Sequence, residues 1–358
     1  MGGGKALNAE DSRISAPVTG SNNISVRSYA HTQKPNYLSI FVYNFEFKLN
    51  LVSFCVYYNI INYINCFELP VEMKFKVLLI NPPYTLISGI KESAGHAAPL
   101  NLCYLAAYLR ESIDCDVSIL DCEIKTTSFR QIEDYIKEFN PSVVGITSPT
   151  PAFEHVLRVA RITKRINPKT HVILGGPHPT ALPFDAIKDE NIDFLVMREG
   201  ELSFIELVQA LALGKSDFKV IKGIVFKEAK QVVFTDSRSY ISNLDELPFP
   251  ARDLLELDKY TSAPTKKVSK FRSTSILSGR GCPYNCIHCI SNCLWARKFR
   301  MRSPKNIVDE IELCVKKYNI HEFNFYDDTF TISEKQVLEV CNMIFDRRLK
   351  ISWICFSR

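Results

Sequence analysis

The stretch "FKVLLINPP" (75–83) opens a repeating pattern of short apolar runs and amphipathic segments. Its first half is nearly continuous in apolar residues, which is typical of a strand covered on both faces. Four more β-branched runs follow, with segments of helical periodicity between them. This alternation predicts a parallel sheet with right-handed crossovers. The predicted strands are 75–81, 116–121, 142–147, 171–176 and 193–197, and the predicted helices are 100–112, 128–139, 151–166 and 200–214.

Five such units predict a doubly wound, flavodoxin-like domain. A hairpin is predicted at 220–235, and 242–260, which has two prolines and no clean period, is interpreted as a linker. The alternation then restarts, with Ser303 as N-cap of one helix and a capping box of Ser333 and Gln336 opening another. The later predicted strands are 274–281, 322–328 and 351–356, and the later predicted helices are 303–319 and 333–348.

The predicted fold class is therefore α/β, a flavodoxin-like sheet followed by part of a second βα domain. Three strands and two helices cannot close a barrel, so the second domain is expected to be truncated at its C-terminal side. The predicted segments are an irregular extension at 1–72, the first domain at 73–217, the hairpin and linker at 218–268, and the partial barrel at 269–358.

Composition and charge bear on which partners and which cellular location the chain is expected to have. The chain has 358 residues, 46% of them hydrophobic, and a net charge of +5, which gives no strong case for nucleic acid as a partner. The uncharged run 51–67 is shorter than the ~20 apolar residues of a spanning helix, so no stable membrane span is expected. No signal peptide is visible, which favours a cytoplasmic location. Most of the 12 cysteines stand alone, and in that reducing compartment the clustered ones favour metal binding over disulfides.

The stretch "SGRGCPYNCIHCIS" (278–291) places Cys282, Cys286 and Cys289 in a C-x3-C-x2-C spacing within a turn-rich loop. Three thiolates suit an iron–sulfur cluster with one iron left open to a small ligand, whereas four cysteines are the commoner electron-transfer arrangement. Cys293 is available as a fourth ligand. A zinc site completed by His288 or Cys293 and ordinary structural cysteines remain alternatives.

The segment "GCPYNCIHC" (281–289) resembles the loop of the radical S-adenosylmethionine superfamily, with His288 at the aromatic-type position before the last cysteine. The resemblance implies a 4Fe–4S cluster on Cys282, Cys286 and Cys289. It also implies that the open iron chelates S-adenosylmethionine, which one electron from the cluster cleaves reductively. Cys293 then has no ligand role.

Two adjacent acids lie at the C-terminal end of the next predicted strand, in "FNFYDDTF" (323–330). Barrels place their active sites at the carboxyl ends of their strands. The resemblance implies that Asp327 and Asp328 lie near the ammonium group of S-adenosylmethionine. The alternative is a solvated pair at the strand end, or Asp328 assisting the turn.

The first domain is similar to the cobalamin-binding radical enzymes in "LLINPP", "PLNLCYLAAYL", "VVGITSPT", "LGGPHPTALP", "REGELSF" and the linker "LDELPFPARDLL". The resemblance covers roughly residues 73–358 and implies cobalamin as a further cofactor. These segments form the crevice at the carboxyl ends of the strands, where doubly wound domains bind ligands. The residues expected there are Ser148, Thr150, Gly175, Gly176, Gly200 and Glu201.

The D-x-H-x-x-G motif, by which many cobalamin domains supply a histidine below cobalt, is absent from the sequence. The lower ligand of cobalt is therefore unassigned. His178 lies between two prolines and is expected to pack or to cap. His96 is unassigned.

The resemblance implies a small-molecule substrate and an electron donor such as flavodoxin or ferredoxin. It favours methyl transfer to an unactivated centre, with no catalytic residue assigned. A radical cyclisation or rearrangement is the alternative within the enzymes. A truncated fragment that binds a cluster and a corrinoid without turnover is the alternative outside them.

Overall fold

The computed structural model describes residues 74–83, 96–124, 127–260, 262, 268–269 and 271–358. All of these residues belong to one compact unit. The predicted extension at 1–72 lies outside the described residues. No helix in the described ranges has the length and apolar character needed to cross a membrane.

The larger sheet has seven strands. They are β1 (Lys76–Asn81), β2 (Asp116–Asp121), β3 (Val143–Thr147), β4 (His171–Gly175), β5 (Phe194–Val196), β6 (Ile224–Glu228) and β7 (Gln231–Phe234). The first five are parallel in the order β2-β1-β3-β4-β5. This is the flavodoxin-like order, so the predicted doubly wound sheet is confirmed.

Helices cover both faces of this sheet. They are α1 (Leu100–Ser112), α2 (Phe129–Phe139), α3 (Phe153–Ile166), the short α4 (Pro177–Ala181) and α5 (Pro183–Lys188), and α6 (Glu201–Ala212). One apolar core lies under α1 and α6, and a second lies under α2 and α3 on the opposite face. The two short helices were not predicted, and Pro177 and Pro183 occupy first-turn positions in them that tolerate a missing N–H.

The predicted hairpin is confirmed as β6 and β7, and it extends the larger sheet. β6 pairs antiparallel with β5, and β7 pairs antiparallel with β6. The hairpin therefore continues the first domain's sheet, while the predicted domain boundaries stay predictions.

The segment predicted as a linker packs against the core. It contains three short 3-10 helices, at Leu244–Glu246, Arg252–Leu254 and Leu257–Lys259. The Tyr260 hydroxyl donates to Asp121 Oδ2 at 2.8 Å, and Arg252 is 1% exposed. These contacts make the segment a fixed connection between the two sheets.

The second domain has three parallel strands in the order β12-β11-β8. Its strands are β8 (Ser273–Ile276), β11 (Glu322–Phe325) and β12 (Ser352–Cys355). A separate two-stranded ribbon consists of β9 (Gly279–Arg280) and β10 (Arg300–Met301). The helices are α7 (Ser291–Trp295), α8 (Pro304–Tyr318) and α9 (Glu334–Asp346). The three predicted strands and two longer helices are confirmed, whereas the ribbon was not predicted.

The prediction of one strand over 274–281 is wrong in its second half. β8 stops at Ile276, and Gly279–Arg280 instead pairs antiparallel with Arg300–Met301. The backbone N–H groups of Ser278 and Gly279 donate to the carboxylate of Asp327. A side-chain acceptor therefore replaces the strand ladder at this point.

The caps differ in one detail from the prediction. Ser303 accepts from the Asn306 N–H at the start of α8, so the predicted N-cap is confirmed. Ser333 likewise accepts from the Gln336 N–H, but the Gln336 side chain donates to the Arg302 carbonyl at 2.9 Å. The reciprocal half of the predicted capping box is therefore wrong, because the glutamine amide bonds to the segment that precedes α8.

Candidate functional site

A cavity of about 230 Å³ lies between the carboxyl edge of the larger sheet and the segments that flank the cysteine loop, which we define as residues 282–289. One wall comes from the first domain and the other from the second. The first-domain wall includes Thr147, Gly175, Gly176 and Gly200, and the second-domain wall includes Gly279, Arg280, Asp327 and Asp328. Residues from both predicted binding regions therefore line one space.

The first-domain wall combines apolar side chains with backbone that carries no side chain. Leu79, Gly145 and Phe204 line it, and a Cβ on Gly145 would lie 2.9 Å from Leu79 Cδ2. A Cβ on Gly175 would meet no atom closer than 3.8 Å. Gly176 has φ +102°, which side chains rarely adopt. A flat ring can thus approach the backbone at Gly175 and Gly176.

The predicted hydroxyl groups lie outside the cavity lining. Ser148 is fully buried beside Gly176, and its hydroxyl has no hydrogen-bond partner among the described residues. Thr150 is exposed in a 3-10 turn. The lining instead contains Thr147, whose hydroxyl accepts from Asn101 Nδ2 at 2.8 Å. The pattern after β3 indicated the right loop but not the right residue.

Glu201 lines the cavity and is committed to an ion pair. Arg280 Nη2 donates to Glu201 Oε1 at 2.6 Å, and Arg280 Nη1 donates to Glu199 Oε1 at 3.0 Å. Arg300 Nη1 lies 2.9 Å from both oxygens of Glu199. All four side chains are about nine-tenths buried or more. We call this group the arginine–glutamate bridge, since it joins the start of α6 to the β9–β10 ribbon.

Electrostatics stabilise the charged forms of this bridge. Burial favours the neutral form of Glu201, but Arg280 outweighs burial and lowers the pKa of the carboxyl group. Burial likewise opposes the charge on Arg280, and Glu201 and Glu199 outweigh it and raise the guanidinium pKa. The bridge therefore holds two cations and two anions in a largely water-free place.

In the sequence, Arg297, Lys298, Arg300 and Arg302 form a basic cluster between α7 and α8. The structure separates them into two classes. Arg300 and Arg302 form buried ion pairs, whereas Arg297 and Lys298 are exposed. Sequence reasoning missed Arg280 altogether, although its place beside Gly281 and Cys282 was a signal.

The cysteine loop begins directly after β9. Gly281 has φ +90°, and a Cβ there would lie 2.0 Å from the Lys298 carbonyl oxygen, so only glycine fits. Cys282 and Cys286 are partly exposed and Cys289 is exposed, all as free thiols. Across the described ranges, no group of three His, Cys, Asp or Glu side chains is placed to hold a metal ion. The loop therefore supplies three thiol donors, but it does not place them close enough together to share a metal ion.

The remaining candidate residues lie in different surroundings. Asp327 is 3% exposed and accepts hydrogen bonds from Ser278 and Gly279, while Asp328 is exposed and accepts from the Ser291 hydroxyl. Burial raises the pKa of Asp327 against those hydrogen bonds. His288 is exposed and does not line the cavity.

His178 packs, as expected. Its ring stacks on Phe153 at 3.7 Å, and it is 3% exposed. Burial lowers its pKa. Neither His178 nor His96 lines the cavity.

The residues present fit two kinds of bound group. Side-chain-free backbone at Gly175, in a cavity wall that also contains the apolar Leu79 and Phe204, suits a large planar macrocycle. Three free thiols on one turn-rich loop are the donor set of an iron–sulfur cluster. The roles of the individual residues stay predictions.

Comparison with known proteins agrees with this arrangement. Residues 89–208 match the B12 binding domain family. The chain is 38% identical over 285 residues to an uncharacterized methyltransferase of Pyrococcus horikoshii, covering 79% of this chain and 60% of that protein. It is 34% identical over 282 residues to an anaerobic magnesium-protoporphyrin IX monomethyl ester cyclase of Rubrivivax gelatinosus, covering 78% of this chain and 49% of that protein.

Solved structures share the fold. The radical S-adenosylmethionine methyltransferase TsrM of Kitasatospora setae, with cobalamin and a [4Fe-4S] cluster bound, gives a TM-score of 0.60 at 21% identity, covering 77% of this chain and 52% of that chain. The cobalamin-dependent S-adenosylmethionine radical enzyme OxsB, with aqua-cobalamin and S-adenosylmethionine bound, gives a TM-score of 0.64 at 20% identity. That match covers 78% of this chain and 38% of the OxsB chain. The chain thus spans about half of these relatives, and it belongs to the cobalamin-binding radical S-adenosylmethionine enzyme family.

Proposed function

We propose that the protein cleaves S-adenosylmethionine at a 4Fe–4S cluster held by Cys282, Cys286 and Cys289, and that it transfers a methyl group to an unactivated centre of a small molecule. Cobalamin occupies the edge of the larger sheet in this proposal. The observation that carries it is the single cavity lined by both Gly175–Gly176 and the segments beside the cysteine loop. Cofactors bound at these two walls would face one another across the same space.

When bound, the cluster supplies one electron to S-adenosylmethionine and the corrinoid carries a methyl group. The chain's own residues bind these groups and orient them. Gly175 and Gly176 leave room for the ring, and the arginine–glutamate bridge fixes one domain against the other. The exposed carboxylate of Asp328 can accept hydrogen bonds from the ammonium group of S-adenosylmethionine.

Names among the relatives support methyl transfer as the first choice. Besides the Pyrococcus protein, cytidylyl-2-hydroxyethylphosphonate methyltransferase of Streptomyces wedmorensis is 28% identical over 301 residues, covering 72% of this chain and 55% of that protein. The cyclase of Rubrivivax gelatinosus supports radical cyclisation as the second candidate.

The cluster ligands are tested by anaerobic reconstitution with iron and sulfide. Serine at Cys282, Cys286 or Cys289 is expected to lower bound iron far below the about four atoms per chain of a full cluster. Cys293→Ser is the matched control and should retain the iron of a full cluster. The electron paramagnetic resonance spectrum of the reduced cluster should change on adding S-adenosylmethionine. Loss of iron in Cys293→Ser, or zinc in the isolated protein, contradicts the assignment.

The products then separate the candidate reactions. Methyl transfer moves the methyl group from sulfur to an acceptor and leaves S-adenosylhomocysteine. Reductive cleavage takes one electron, breaks the bond to the 5′ carbon and leaves methionine and a 5′-deoxyadenosyl radical, which becomes 5′-deoxyadenosine by taking a hydrogen atom. With dithionite and hydroxocobalamin, both nucleosides are expected for a methyltransferase. Only 5′-deoxyadenosine favours the cyclase, and neither product from a loaded cluster favours a binding fragment.

The corrinoid site is tested at Gly175. Valine there is expected to fill the space above the sheet edge and weaken hydroxocobalamin binding by about tenfold or more, since overlapping groups cannot share a packed site. The nearest atom to a new Cβ is 3.8 Å away, so the fold should survive. Ala212→Val, at the exposed end of α6, is the control. Equal hydroxocobalamin affinity in both variants, measured by absorbance titration, would remove the site from the sheet edge.

The proposal includes a low-potential electron donor such as flavodoxin or ferredoxin and a cytoplasmic location. Every cysteine in the described part of the chain is a free thiol, which suits a reducing compartment. Reduction of the reconstituted cluster by purified flavodoxin in place of dithionite tests the donor.

A further inference from the structure

We propose that Asp327, Asp328 and Thr329 form a brace that positions the cysteine loop at three points. The tripeptide follows β11, the central strand of the second sheet, at its carboxyl end. The proposal rests on the proposed function, because the loop matters as the cluster's support. It assigns these side chains to positioning the loop.

The first contact lies before the loop. Asp327 Oδ1 accepts from the Ser278 N–H at 2.9 Å, the Ser278 hydroxyl at 2.8 Å and the Gly279 N–H at 2.6 Å. Ser278 lies between β8 and β9, and Gly279 is the first residue of β9. A buried carboxylate that accepts several N–H groups makes strong, directional hydrogen bonds. The N-terminal side of the loop is therefore fixed to β11.

The second contact lies after the loop. Asp328 Oδ2 accepts from the hydroxyl of Ser291 at 2.6 Å. Ser291 is buried and is the first residue of α7, two positions beyond Cys289. Consecutive carboxylates thus hold the two ends of the loop.

The third contact reaches a cysteine. Thr329 Oγ1 lies 3.9 Å from Cys282 Sγ and also donates to the Asp328 carbonyl at 2.7 Å. Cys282 and Cys286 are partly exposed and Cys289 is exposed, so burial does little to place the thiols of the loop. Contacts with this tripeptide instead define where the loop starts and ends.

Hydrogen exchange on the cofactor-free full chain tests the brace without any cluster. Asp327→Asn and Ser278→Ala are expected to speed exchange of the Gly279 amide and the loop amides by about tenfold or more, as the loss of a charge-assisted hydrogen bond implies. Asp346→Asn, at the exposed end of α9, is the matched control. Unchanged exchange in both test variants overturns the proposal.

The second site separates positioning from ligand contact. Ser291→Ala removes the partner of Asp328 while leaving the carboxylate in place. If Asp328 positions the loop, Asp328→Asn and Ser291→Ala should lower bound iron to a similar extent, because a contact with S-adenosylmethionine does not change iron loading. Wild-type bound iron in Ser291→Ala overturns the positioning role, whatever Asp328→Asn does to the spectral response to S-adenosylmethionine.

Thr329 provides the conservative test. Thr329→Ser keeps the hydroxyl and should keep the wild-type spectrum of the reduced cluster, whereas Thr329→Val should alter it. The same spectrum in both variants removes Thr329 from the brace. Failure of the proposed function would appear differently, as a chain that shows the exchange effects but binds no cluster at all.

Discussion

Replacement of Glu310 by glutamine is expected to lower the free energy of unfolding by about 3–5 kcal/mol. Glu310 on α8 is fully buried, with its carboxylate 2.6 Å from Arg252 Nη2 and 2.5 Å from Arg302 Nη1. Burial opposes the charge, but Arg302 and Arg252 outweigh it and lower the pKa of the carboxyl group. A neutral amide would leave both guanidinium groups buried without a counter-charge.

The same change should reach the cysteine loop. Arg252 Nη2 donates to the Ser275 carbonyl, and Arg302 Nη1 donates to the Leu277 carbonyl, both at 2.7 Å. These carbonyls belong to β8 and its end, which lead into the loop. Lower iron loading is therefore expected together with lower stability.

Urea unfolding followed by circular dichroism measures the first effect. Glu312→Gln on the same helix is the control, because its partly exposed ion pairs contribute little. Methionine at Arg252, Glu310 and Arg302 together should recover much of the loss, since it removes all the charges at once. A Glu310→Gln effect no larger than that of Glu312→Gln would contradict the account.

Replacement of Arg280 by methionine is expected to have the second large effect on stability. It should destabilise the protein by about 3–5 kcal/mol, because Glu201 is left buried without its cation. Glu199 keeps its ion pair with Arg300. The change separates the start of α6 from the residue before Gly281, so hydroxocobalamin affinity and iron loading should fall together.

A double-mutant cycle isolates this interaction. Arg280→Met combined with Glu201→Gln should be less stable than the wild type by clearly less than the sum of the single changes. The exposed Arg297→Met is the control for loss of a nearby positive charge. Additive effects would show that the bridge does not couple the two domains.

The sequence predicted the local elements because their signals are local. The apolar run of β1 and the N-cap Ser303 each depend on neighbours within a few positions, and the structure confirms both. The parallel direction of the first five strands followed from the alternation of strands and helices, whereas their order in the sheet is seen only in the structure. The ribbon of Gly279–Arg280 with Arg300–Met301 was missed because each strand has only two residues.

The amino-acid sequence alone determined that three thiols share one turn-rich loop and that glycines end a strand at the sheet edge, because spacing and backbone freedom are properties of short segments. Only the tertiary structure decided which charges meet. Arg280 pairs with Glu201 from 79 positions away, and Asp327 holds Gly279 from 48 positions away. Electrostatic and hydrogen-bond partners depend on distances in space, which folding sets and a linear pattern does not contain.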